Sequence, residues 1–133
     1  MFLQPAQYTA ALGRLRELDK VLKTLQSAAD AGEVETVGAA AAKARIEIRQ
    51  VGENVVRSLA GDERIDNEKR LFAVVRALDD ADIFSLRTDG GTGGGSAPVA
   101  PGFSPLSILL DRATQRLEEF LRDVPLEPDE YAA

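Results

Sequence analysis

The chain has 133 residues, of which 44% are hydrophobic and only 5% aromatic, so its core must consist mainly of Leu, Val, Ile and Ala, a composition that favours packed helices over a β-sandwich. Lys and Arg number 16 against 22 Asp and Glu, and the net charge of −6 disfavours binding to nucleic acid or to an anionic membrane. The chain has no Cys and no His, which excludes disulfides, thiolate sites and histidine as metal ligand or general base.

The first predicted helix covers residues 5–31. Pro5 suits a first helical turn, because its missing N–H would have no partner there, and Gly32 can adopt the left-handed conformation that ends a helix. Apolar residues recur three and four positions apart, which is typical of a helix with one buried face. These residues are Tyr8, Ala11, Leu15, Leu18, Leu22, Leu25 and Ala29.

The second predicted helix covers residues 33–60 and ends before Gly61. Gly13 in the first helix, and Gly38 and Gly52 in the second, interrupt good helix-forming sequence and could mark close approaches of the backbone. The short break at Gly32 predicts that the two long helices form an antiparallel hairpin. Its apolar stripe comprises Val34, Val37, Ala41, Ala44, Ile48, Val51, Val55 and Leu59.

A third helix is predicted over residues 62–84, with Asp62 or Asp66 as the N-cap. Its first half is strongly charged, and we expect Ile65 to be the one residue that this half contributes to the core. The second half places an apolar stripe on one side. This stripe comprises Leu71, Val74, Val75, Leu78 and Ala81.

Residues 87–102 are rich in Gly and Pro and are predicted to form a flexible loop. Phe103, Ser104 and Pro105 then indicate a fourth helix over residues 104–124, with Ser104 as N-cap, Pro105 in the first turn and Pro125 after its end. The acidic tail 126–133 is expected to be loose. The apolar stripe of this helix comprises Leu106, Leu109 or Leu110, Ala113, Leu117, Phe120 or Leu121, and Val124.

No window alternates with the period of two that a strand requires. We therefore predict an all-α fold: a single domain over residues 1–133, with four helices built on a long antiparallel helical hairpin and a Gly/Pro-rich loop before the last helix. No apolar stretch is long enough to span a bilayer, and residues 1–5 lack the pattern of a secretory signal, so we expect a cytoplasmic protein without membrane contact.

Two patterns raise the question of a chemical site. The glycines of residues 90–95 lack the lysine of a P-loop and the preceding strand of a dinucleotide fold, so a linker is the better interpretation. Asp79, Asp80 and Asp82, with Glu118 and Glu119, could bring carboxylates together for Mg²⁺ or Ca²⁺, although a solvated helix end explains them as well. We predict no catalytic residue, no cofactor and no metal, and keep a small carboxylate-metal enzyme as an alternative.

Basic residues on the two long helices stand among acidic ones at helical spacing, which predicts a mixed polar face. Apolar residues outside the main stripes widen the surface of the hairpin beyond what two helices can cover. Either the third and fourth helices cover them, or part of this surface binds a partner helix or a second copy of the chain. The candidate partner-binding residues are Leu12, Val21, Ile46 and Val56.

Residues 31–35 and 43–48 form a polar turn followed by a small-and-charged second helix. This pattern resembles the helical flagellar export chaperones over a short part of the chain, and the resemblance implies a chaperone that binds a client helix. Our leading hypothesis is a non-enzymatic protein–protein interaction module: a helical adaptor or structural subunit of a larger assembly that binds a protein or itself. The export or assembly chaperone is the alternative.

Overall fold

The computed structural model of the chain describes residues 4–89 and 105–128. Four helices occupy these ranges, and the described residues contain no strand. The all-α prediction is therefore confirmed. The helices are α1 (Pro5–Asp30), α2 (Val34–Arg57), α3 (Gly61–Asp89) and α4 (Pro105–Asp123).

The helices form a bundle in which each helix has two principal neighbours. Helix α1 contacts α2 and α4, and α3 contacts the same two helices from the opposite side. Tyr8, near the start of α1, donates a hydrogen bond of 2.6 Å to the carbonyl of Pro125, just after the end of α4. Helices α1 and α4 therefore run in opposite directions and close the ring.

The turn between α1 and α2 follows from Gly32, whose φ of +93° lies in the left-handed region. The N–H of Gly32 donates to the carbonyl of Ala29, and that of Glu33 to the carbonyl of Ala28. Together these bonds form a Schellman motif, which satisfies carbonyls that the end of α1 would otherwise leave free.

The connection between α2 and α3 differs from the predicted boundaries. Helix α2 ends at Arg57 instead of residue 60, because the N–H groups of Ser58 and Leu59 bond three residues back and tighten the last turn. Gly61, with φ +61°, is the first residue of α3. Asp62 and Asp66 are thus inside the helix and are not N-caps, and Asp62 in the first turn interacts favourably with the positive end of the helix dipole.

Most residues of the predicted stripes are buried. Leu12, Val56 and Ala77 join them, and Leu110 and Phe120 are more buried than their alternatives Leu109 and Leu121. Ile65 was wrongly expected in the core: 51% of it is exposed, whereas Asn67, two residues later, is 2% exposed. Asn67 can be buried because its amide donates to the carbonyl of Glu63 at 2.7 Å.

Gly52 lets α2 and α3 approach closely. A Cβ at this position would lie 3.0 Å from Cδ2 of Leu71 and closer still to Cδ1. Gly13 has no such neighbour within 4 Å. Of these two glycines in the helical pattern, only Gly52 is required by packing. Helix α3 continues to Asp89 instead of ending at residue 84, because residues 85–89 contain no Gly or Pro that would stop it, so residues 87–89 of the predicted loop are helical. The rest of the predicted loop, residues 90–102, lies outside the described residues, as do Ser104, the predicted N-cap, and residues 129–133 of the tail.

Candidate interaction surface

Several basic residues on α1 and α2 are paired with carboxylates, so these helices present a mixed polar surface. Arg14 bonds to Glu47 across the two helices and to Glu17 at 3.0 Å on its own helix. Lys23 contacts Asp19 at 3.2 Å and Glu118 of α4 at 2.6 Å. The hydrogen bond that Arg14 donates lowers the pKa of Glu47. The hydrogen bond that Lys23 donates to Glu118 raises the pKa of Lys23.

Four of the five carboxylates considered as metal ligands take part in ion pairs instead. Asp79 bonds to Arg45 of α2, and Asp82 lies 3.8 Å from the same guanidinium. Asp80 is exposed, and Glu119 pairs with Arg116 at 3.3 Å. Within residues 4–89 and 105–128, no group of three or more carboxylates is arranged to hold a metal ion.

Asp19 is a charged side chain that lies inside the bundle, with 8% exposure. Burial raises its pKa, and its bond to Lys23 only partly opposes this effect. One carboxylate oxygen, Oδ1, is buried without a hydrogen-bond partner. Because Lys23 and Glu118 are its charged neighbours, Asp19 belongs to a contact between α1 and α4.

The four candidate partner-binding residues fall into two pairs. Leu12 and Val56 are 2% and 4% exposed, because α3 and α4 complete the bundle around the first two helices, so neither presents a free surface. Val21 and Ile46 are 40% and 53% exposed. Val21 lies two helical turns after Arg14, on the side of α1 that faces α2, and Ile46 lies on the outer side of α2.

Ile46 lies at one end of a groove between α2 and α3. Its central part has a volume of about 340 Å³, and a neighbouring part of about 330 Å³ shares Arg49, Glu53 and Val75 with it. We call this surface the α2–α3 groove. Its apolar lining consists of the exposed Ile46 and Phe72, the half-buried Val75, and small accessible parts of the otherwise buried Val56 and Leu71.

Phe72 is the most prominent residue of this groove, with 66% of its surface exposed. It also borders a shallow depression that contains Ile65, Glu68 and Lys69. Ile65 and Phe72 are seven residues apart, so they share the outer face of α3, while Leu71, Val74 and Leu78 face the core. Helix α3 therefore carries a second apolar face.

Sequence reasoning missed this second face because Phe72 is adjacent to the core residue Leu71, and Ile65 was assigned to the core. The available signal was the spacing of seven between Ile65 and Phe72, combined with a core stripe that already occupied the other side of the helix.

Charged side chains of both signs border the groove. Glu53 accepts from Arg49 at 3.2 Å and lies 3.8 Å from Arg57, so these charges are held at the α2 side. Arg64 and Glu68 lie on the α3 side, beside Phe72. An apolar centre with a polar border is the usual anatomy of a protein–protein interface.

No helix among the described residues is both long and apolar enough to cross a membrane. Comparison with known proteins finds no matching family model, no matching curated protein and no matching solved structure.

Proposed function

We propose that this chain is a non-enzymatic protein–protein interaction module, a helical adaptor or structural subunit of a larger assembly, and that the α2–α3 groove is its binding surface. The exposure of Phe72 carries the proposal. An aromatic side chain with 66% of its area in water has an unfavourable hydration free energy that a partner would relieve. Aromatic residues next to a concave surface are also where binding energy concentrates.

The neighbours of Phe72 support the same conclusion. Ile46 and Ile65 are 53% and 51% exposed, and the former lines the groove while the latter lies beside Phe72 in the adjoining depression. Single exposed apolar residues are ordinary on protein surfaces, but a connected group around one groove is the pattern of a binding site. The ion-paired carboxylates and the absence of a catalytic pair among the candidate residues favour binding over chemistry.

A photo-crosslinking experiment tests the proposal. A photoreactive amino acid replaces Phe72 in the full chain, produced in the cells that naturally express it, and a matched variant carries the same group at Gln115, an exposed residue of α4. We expect one discrete adduct from position 72 and none from position 115. Mass spectrometry of the adduct identifies the partner, and an exported client would favour the chaperone alternative.

Two further variants sharpen this experiment. Ile46→Lys and Ile65→Lys each place a charge in the proposed contact without touching the core, and both should reduce the yield of the adduct. Equal adducts from positions 72 and 115, or none from position 72, would contradict the proposal.

A further inference from the structure

Five residues of α3, spaced four apart, form one row on its outer surface. They are Arg64, Glu68, Phe72, Arg76 and Asp80. Residues four apart in an α-helix lie along a single ridge that is inclined to the helix axis. Phe72 is the central member of the row, Glu68, Arg76 and Asp80 are exposed, and Arg64 is half-buried.

The charges of this row are antisymmetric about Phe72. The order is positive, negative, Phe, positive, negative. A two-fold axis that lies between two copies of α3, beside Phe72 and perpendicular to the row, aligns the row of one copy with that of the other in the opposite direction. The two helices then cross at about 50°, the angle at which rows of this kind pack together. The operation places Glu68 opposite Arg76 of the second copy and Arg64 opposite Asp80, with the two Phe72 side chains in contact. All four resulting charge pairs are of opposite sign.

The charges of this row are available for such a contact. None of the four forms an ion pair with another residue of the described ranges, whereas Arg49, Arg57 and Arg45 nearby are all paired. Pairing within α3 is weak, because Arg64 precedes Glu68 and Arg76 precedes Asp80. A cation four residues before an anion is the less favourable order in a helix.

We propose that the chain forms a two-fold symmetric dimer through this row of α3, with Phe72 at the axis. The inference rests on the proposed interaction function and names its partner as a second copy of the chain. An isologous contact requires a surface that is complementary to itself, and the row meets this requirement in charge and in its central apolar residue. The row is neutral, so the net charge of −6 on each chain does not oppose the contact locally.

Sedimentation velocity of the purified full chain in the high micromolar range provides the test. We expect a dimer for the natural chain. Glu68→Arg and Arg76→Glu should each weaken association by about tenfold or more, because each places like charges opposite one another twice. Phe72→Ala should have an effect of at least the same size. Lys20→Glu, which makes the same charge change as Arg76→Glu on an exposed part of α1, should leave the dimer unchanged.

Charge restoration makes the test specific. An equimolar mixture of Glu68→Arg and Arg76→Glu chains should form a heterodimer, and the double variant E68R/R76E should recover the homodimer. A natural chain that stays monomeric overturns the inference, as does a dimer that both single charge variants leave intact. The interaction function survives either result if the crosslink from position 72 captures a different protein. Absence of both the dimer and the crosslink would reject both proposals.

Discussion

Replacing Gly52 with Ala tests the close packing of α2 on α3. The change adds helix propensity worth about 1 kcal/mol. It also places a methyl group within 3.0 Å of Cδ2 of Leu71, and closer to Cδ1. Rotation of the Leu71 side chain exchanges one methyl for the other, and its Cγ is itself 3.3 Å away, so the whole side chain must move. Leu71 is only 4% exposed, and overpacking of this kind costs about 1–3 kcal/mol.

Gly13→Ala is the matched control, because nothing lies within 4 Å of the added Cβ. This variant should gain stability of about 0.5–1 kcal/mol. We therefore expect Gly52→Ala to be less stable than Gly13→Ala by about 2 kcal/mol. For a chain of 133 residues this difference corresponds to about 7 °C in Tm.

Thermal unfolding followed by circular dichroism measures this difference. In a Leu71→Ala background the obstacle is removed, and Gly52→Ala should then stabilise the protein about as much as Gly13→Ala does. Equal stabilisation by both alanine substitutions in the natural background would refute the contact between Gly52 and Leu71.

Three further predictions concern other positions. Tyr8→Phe should lower the free energy of unfolding, measured in urea, by about 1 kcal/mol, because the hydrogen bond to Pro125 is lost. Burial raises the pKa of Tyr8 from 10.0 to about 12, so the natural chain should lose stability as the pH rises through this range. The variant should lose less stability over the same range. Asp19→Asn should raise the urea midpoint of unfolding at pH 7, because the pKa of Asp19 is raised and its ionised form therefore opposes folding above that pKa. In acid, where Asp19 is protonated, the variant should no longer be more stable than the natural chain. A lowered midpoint at pH 7 would contradict this reasoning. Phe72→Ser should change the free energy of unfolding of the monomer by no more than about 0.5 kcal/mol in dilute solution, because Phe72 is exposed. Leu71→Ala, at the buried neighbouring position, should lower it by about 2–5 kcal/mol. Equal losses would show that Phe72 belongs to the core.

The core could be read from the sequence wherever apolar residues followed a single helical stripe. A helix with a single apolar stripe has one orientation that buries this stripe against the other helices. The spacing therefore correctly predicted the burial of Leu15, Leu22, Ile48 and Val55. The second half of α3 was predicted correctly in the same way, since Leu71, Val74 and Leu78 are buried. Its first half was not, because α3 also carries an outer apolar face and spacing alone does not show that Ile65 belongs to it.

The proposed binding surface could be predicted only in part for a related reason. Ile46 was identified from its position outside the main stripe, and it lies in the groove. Val56 was identified by the same argument but is covered by a neighbouring helix, since its exposure depends on where α3 lies. The position of Phe72 depends on the rotation of α3 about its own axis, which is set by contacts with α2 and α4 and not by the sequence of α3 alone.

The hydrogen bond from Tyr8 to Pro125 joins residues 117 positions apart in the chain. Closing so long a loop costs conformational entropy, so we expect this bond to form only after α1 and α4 have both packed into the bundle. The chain contains two tyrosines and no tryptophan, so tyrosine emission is its main intrinsic fluorescence, and Tyr8 contributes half of the emitting groups. Stopped-flow fluorescence of the refolding chain should therefore record the packing of α1 on α4. This phase should be slower than the gain of the helical circular dichroism signal.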